Sequence, residues 1–127
     1  MPLRVRGDQR GNLIALERSS EIPFDVARAF FIYDTIEGVS RGFHAHRTLN
    51  QLAVAVHGAC TMVIDDGEVR ERVRLASPDQ ALLMGPMTWN EMHDFTPDCV
   101  LLVIADAPFE ESEYIRDFEE FKHLAAT

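Results

Sequence analysis

Short apolar or alternating runs recur along the chain between turn signals: Leu13 to Leu16, Ala27 to Tyr33, Gly42 to His46, Leu52 to Val56, Cys60 to Ile64, Val69 to Leu75, Ala81 to Met84, Trp89 to Phe95 and Val100 to Ala105. Many short strands at this spacing predict an all-β sandwich or barrel. Asp65-Asp66-Gly67 separates two β-rich runs and reads as a hairpin turn, because Asp-Gly tolerates the positive φ of a tight turn; His57-Gly58 reads as a second. Only the tail changes period. From Glu111 to Leu124 the chain is charged and carries Tyr114, Phe118 and Phe121 at helical spacing behind Ser112, a candidate N-cap, so one C-terminal helix is expected against the β-core. No repeat or linker divides the chain, and residues 1–127 read as a single domain.

Strand parity adds a cavity to this outline. Side chains alternate across a strand, so His44 and His46 share a face, and that face is polar. In the next strand Gln51, Ala53 and Ala55 share one face, which leaves room, while Leu52, Val54 and Val56 fill the other. Cys99 to Ala105 is apolar on both faces, as in a central strand covered on both sides or one buried between subunits.

Charge then narrows the partners. With 12 Lys+Arg against 21 Asp+Glu the net charge is -9, which disfavours a phosphate-backbone binder and makes nucleic acid an unlikely partner. An anionic small molecule would need a local cationic pocket. The longest apolar run, Cys99 to Ala105, falls far short of the roughly 20 residues that span a bilayer, and the polar start has no secretory pattern; a cytoplasmic protein away from membranes is expected. Cys60 and Cys99 form no C-x-x-C pair and read as reduced core residues.

The chemistry concentrates between Gly38 and Gly58, where Gly38, His44, His46, Gln51 and Gly58 follow one another. This spacing resembles the first signature of the cupin superfamily, which implies a small cupin double-stranded β-barrel (jelly roll) with, here, a short C-terminal helix. Two imidazoles side by side on one strand can bind a metal or move protons. A metal-binding cupin adds a glutamate and a third histidine, but those positions fall at Gln51, a poor transition-metal ligand, and at Glu91. His93 shares parity with Glu91, so His44 and His46 with Glu91 or His93 is the alternative metal set; the expectation is no metal and no cofactor.

The resemblance extends further. Asp8-x-Arg10-Gly11-x-Leu13, Arg41-Gly42-x-His44-Ala45-His46, Gln51, Trp89-x-Glu91-Met92-His93-Asp94-Phe95 and Tyr114-Ile115-Arg116-Asp117 together resemble the nucleotide-sugar 3,4-ketoisomerase family. That resemblance implies conversion of dTDP-4-keto-6-deoxyglucose to a dTDP-3-keto-6-deoxyhexose, an isomerase reaction of deoxyamino-sugar biosynthesis. It makes His44 and His46 the proton-transfer pair, and histidine suits this work because both of its forms are accessible near neutral pH. Tyr33, on the strand before the histidines, is a candidate donor to the enediolate. Arg10 and Arg41 are candidates for the diphosphate, and Gln51, Trp89, Asn90, Glu91 and His93 for the rest of the substrate. Phe30 and Phe31, at one of which relatives often carry tyrosine, and Asn90, where they often carry histidine, depart from the family pattern. The resemblance also implies a homodimer that exchanges N-terminal strands. A metal-dependent cupin oxygenase and a non-catalytic nucleotide-sugar-binding cupin are the alternative functions.

Overall fold

The computed structural model describes residues 1–127. Nine of the strand elements sort into two sheets. One has four strands in the order β3 (Arg28–Ile32), β10 (Val100–Ala105), β5 (Gln51–His57), β8 (Ala81–Met84). The other has five, in the order β11 (Tyr114–Ile115), β4 (Arg41–His46), β9 (Trp89–His93), β6 (Cys60–Asp65), β7 (Arg70–Leu75). The pairings within both are antiparallel, and β1 (Arg6–Asp8) and β2 (Gly11–Leu13) form a separate two-stranded ribbon. The all-β architecture with a short C-terminal helix is as expected, although hydrogen bonding joins the strands into separate sheets rather than one continuous cylinder.

Three apolar clusters explain the layering. Ala53, Ala55, Cys60, Met62, Met92, Leu101 and Val103 come from both larger sheets and pack between them. Leu52, Val54 and Ile104 point the opposite way and are covered by Leu3 and Ile22 of the N-terminal segment. β10 is thus a central strand covered on both sides, which accounts for its unbroken apolar run. Ala45, Trp89 and Ile115 lie on the outer face of the five-stranded sheet, under Phe121 of α1 (Phe118–Ala125). Phe121 is fully buried, and burial of a side chain that size contributes about 2 to 3 kcal/mol.

Two expected elements are shorter or displaced. The first strand ends at Leu13 instead of running to Leu16, and Ile14 and Leu16 instead pack onto the outer cluster with Leu52 and Val54. The predicted helix from Glu111 breaks into a 3-10 turn (Glu111–Glu113) and the strand β11 before α1 begins. Its N-cap is Asp117, whose carboxylate accepts from the Glu120 amide, and not Ser112. Tyr114 therefore belongs to a strand, paired opposite His46.

Candidate active site

Between the two larger sheets lies a cavity of about 450 Å³ bordered by His44, His46, Gln51, Asn90, Tyr114 and Arg41. β4 reaches it through a bulge. Arg41 pairs with Met92, Gly42 with Glu91, and His44 with Asn90, so Phe43 is an extra residue opposite none. In a regular strand Arg41 and His44 would face opposite ways. The inserted residue brings Arg41, His44 and His46 to one side. Gly42 and Phe43 both take positive φ (90° and 60°), and a Cβ at residue 42 would sit 3.0 Å from the Asn90 carbonyl oxygen, so the bulge calls for glycine there.

The two imidazoles meet edge to face with centroids 4.9 Å apart, and the Tyr114 ring lies 4.9 Å from His44 and 4.4 Å from His46. Burial pushes the pKa of His44 down. Burial, with His44 beside it, brings that of His46 to about 4. Both rings are consequently neutral bases near pH 7. Nδ1 of His44 and both ring nitrogens of His46 are buried without a hydrogen-bond partner in the protein, a costly arrangement that a polar ligand relieves. Gln51 and Asn90 supply amides to the same space; Asn90 Nδ2 donates to the His44 carbonyl and its buried Oδ1 has no partner.

Charge in the cavity runs against the charge of the chain. Arg41 and Arg116 border it and no carboxylate does. Arg116 stands over the Tyr114 ring at 4.4 Å and is tied to Glu111 by two hydrogen bonds, whereas Arg41 has no ion-pair partner. A local cationic pocket on an acidic protein is thereby present.

Several expected site residues lie elsewhere. β9 alternates, so Asn90 and Met92 turn to the cavity while Trp89, Glu91 and His93 turn to the outer face. Trp89 is buried against Phe118 and Phe121, and its Nε1 donates to Glu91 Oε2 at 2.8 Å; it packs the helix instead of lining the cavity. Glu91 and His93 do share a face, as their parity required, but they bond to each other behind the strand, and His93 reaches Ser40, which borders the cavity itself. Tyr33 is exposed beside Phe31 and borders an adjoining depression with Asp34 and Ile36, which shares Ile32 and Arg41 with the cavity. Arg10 is exposed on the β1–β2 turn, paired with Asp8, in a depression formed by its own ribbon. Sequence reasoning missed Arg116 and, above all, Tyr114. Its aromatic spacing with Phe118 and Phe121 mimics a helix, and the signal that separates it is the capping pair Asp117 and Glu120 three residues later.

A cupin metal centre does not fit these side chains. Beyond the two imidazoles the cavity offers amides and a phenol, the carboxylate and third imidazole face away, and no group of three or more His, Cys, Asp or Glu residues is placed to hold an ion.

The fold defines a cupin-like protein with two imidazoles paired in its cavity. The "FdtA: WxcM-like, C-terminal" family matches residues 1–126, and the chain belongs to that family. It is 43% identical over 119 residues, 94% of this chain and 86% of the relative, to a TDP-4-oxo-6-deoxy-alpha-D-glucose-3,4-oxoisomerase of Aneurinibacillus thermoaerophilus. Among solved structures, a 3,4-ketoisomerase from Helicobacter canadensis superposes with a TM-score of 0.95 at 39% identity, covering 99% of this chain and 95% of its own. A histidine-to-asparagine variant of the 3,4-ketoisomerase of Thermoanaerobacterium thermosaccharolyticum, in complex with TDP-4-keto-6-deoxyglucose, superposes with a TM-score of 0.94 at 31% identity, covering 98% and 90%. No helix is long and apolar enough to cross a membrane.

Proposed function

We propose that the protein is a cytoplasmic sugar 3,4-ketoisomerase that converts TDP-4-keto-6-deoxyglucose to a TDP-3-keto-6-deoxyhexose. The observation that carries this reading is the pair of neutral imidazoles, His44 half-buried and His46 buried, with unpartnered buried nitrogens in a cavity of sugar size. One imidazole removes the C3 proton, the electrons move into an enediolate across C3 and C4, and a proton is returned to C4 while the hydroxyl proton passes from O3 to O4. A positioned acid–base group supplies about 10² to 10⁴ in rate. The depressed basicity of both rings makes the imidazolium formed after abstraction a strong proton donor for the return step, and a diphosphate dianion entering beside them raises it toward the useful range. Tyr114, packed on both imidazoles, supplies the phenol once expected of Tyr33, and hydrogen-bonds the enediolate. Arg41 takes the diphosphate, with Gln51 and Asn90 holding sugar hydroxyls.

The working form is a homodimer. Supporting this, the β1–β2 ribbon is exposed on both strands with Leu13 open on it, and Phe31 and Tyr33 leave apolar surface open at the β3 edge of the four-stranded sheet. The function is tested by incubating protein with TDP-4-keto-6-deoxyglucose in D₂O and following the sugar by NMR. Deuterium should enter the ring carbons and the 3-keto isomer should accumulate, both without added metal. Absence of both would sink the proposal, and binding without exchange would identify a non-catalytic sugar-binding cupin.

A further inference from the structure

The outer face of β9 carries a hydrogen-bonded chain that the isomerisation does not use. Trp89 Nε1 donates to Glu91 Oε2, and Arg70 approaches the same oxygen at 3.8 Å. Glu91 Oε1 accepts from His93 Nε2 at 2.8 Å, and Ser40 Oγ lies 2.7 Å from His93 Nδ1. Burial would raise the Glu91 carboxyl, but the donors from Trp89 and His93 and the charge of Arg70 together hold it below the ordinary range, so Glu91 is an acceptor. With Nε2–H donating to Glu91, Nδ1 is left to accept a hydrogen bond from the Ser40 hydroxyl. The His93 ring also meets the Phe43 ring edge to face at 5.6 Å.

These contacts bracket the bulge. Ser40 immediately precedes Arg41, and Phe43 is the extra residue itself. His93 therefore grips the strand on both sides of Arg41 and Gly42, from the face opposite the cavity. Downstream, β4 has other anchors: Asn90 bonds to the His44 carbonyl, and His46 pairs with Tyr114. Upstream, Arg41 has no ion pair, and the nearest side-chain anchor is Ser40 on His93.

We propose that His93, oriented by Glu91, is a positioning residue that clamps the Phe43 bulge and thereby turns Arg41 into the cavity toward an anionic diphosphate. This rests on reading the cavity as a nucleotide-sugar site. Loss of the clamp lets the exposed Arg41 side chain swing away from the cavity border and leaves the histidines in place, so binding suffers more than chemistry.

The test measures TDP binding by calorimetry, together with KM and kcat for TDP-4-keto-6-deoxyglucose, in wild type, His93→Leu, Ser40→Ala, Ser40→Thr, Arg41→Ala and the His93→Leu/Arg41→Ala double variant. His93→Leu and Ser40→Ala should each raise Kd and KM about tenfold, the effect of one lost charge-assisted hydrogen bond, with kcat within about threefold. Ser40→Thr, which keeps the hydroxyl, should restore binding. The decisive reading is the cycle: His93→Leu should have little further effect on Kd once Arg41 is alanine. Additive losses, or a fall in kcat with Kd unchanged, overturn the clamp. Should His93→Leu fail to fold, the same cycle is run with Ser40→Ala. A wild-type protein that neither binds TDP nor turns over the sugar overturns the functional reading itself, whereas wild-type binding that the His93 and Ser40 variants match overturns only the clamp.

Discussion

Acidification should destabilise the protein sooner than its carboxylates alone would, and His46 should be the cause. Its pKa is brought down to about 4, first by burial and then by His44 beside it, while the unfolded chain carries an ordinary histidine near 6.5. Between those values the unfolded state binds a proton that the native state refuses. Stability therefore is fully present above pH 6.5 and is lost as pH falls through the window toward 4. The separation is worth about 3 kcal/mol when fully developed and about 2 kcal/mol at pH 5. His46 is only 3% exposed, so solvent screening takes little from that figure. Urea unfolding of wild type and His46→Gln at pH 7.5 and pH 5 isolates the effect, since the carboxylates are common to both proteins. Wild type should lose about 2 kcal/mol more than the variant between the two conditions. Equal losses would show that His46 takes up its proton in the folded state and that the neutral-base reading of the site is wrong.

His44→Asn should reduce ketoisomerase turnover by about 10² to 10⁴ with unfolding unchanged within about 1 kcal/mol, read from product NMR and urea titration. Tyr114→Phe should lower kcat by about tenfold to a hundredfold with KM held, because the ring that packs on both imidazoles is kept and only the hydroxyl is lost. Gly42→Ala should cost about 1 to 3 kcal/mol in urea unfolding, since its φ of 90° disfavours a side chain and the Asn90 carbonyl at 3.0 Å is backbone that cannot swing aside.

Alternation carried the strand reading a long way. Gln51, Ala53 and Ala55 were separated from Leu52, Val54 and Val56 by period two alone; the first set does face the space between the sheets and Leu52 and Val54 sit under the N-terminal segment, but Val56, at the register shift of β5 against β10, is exposed. What alternation could not supply is a change of period within a strand. The Phe43 bulge is invisible to it, so Arg41 and His44 had opposite parity in the sequence although they share a face in the fold. For β9, parity correctly split Asn90 from Trp89, Glu91 and His93, but it does not say which set looks inward; that depends on α1 lying over Trp89. Tyr114 was lost to a helical coincidence of aromatic spacing, for which strand pairing with His46 is a long-range fact with no local marker. Tyr33 and Arg10 carry suitable chemistry on segments whose distance from the cavity only the tertiary structure decides.

The acidic balance of the chain and its cationic cavity have one explanation in the distribution of partners. Arg10, Arg18, Arg47, Arg70 and Arg72 each lie within ion-pair distance of an Asp or Glu away from the cavity, and Arg116 at its border is tied to Glu111. Such pairs contribute little to stability in water, but they neutralise arginines that would otherwise compete for an anion. Arg41 is left unpaired at the cavity, which no carboxylate borders. A surplus of acids therefore sharpens selection in place of preventing it: at long range the net charge of -9 disfavours polyanions, whose many phosphates need a broad basic surface. At short range one free guanidinium in a concave site is enough for a single diphosphate. The two faces of β9 divide the work, with Asn90 and Met92 turned to the cavity, Asn90 bonding the His44 carbonyl, and Glu91, His93 and Trp89 fixing the same strand from behind.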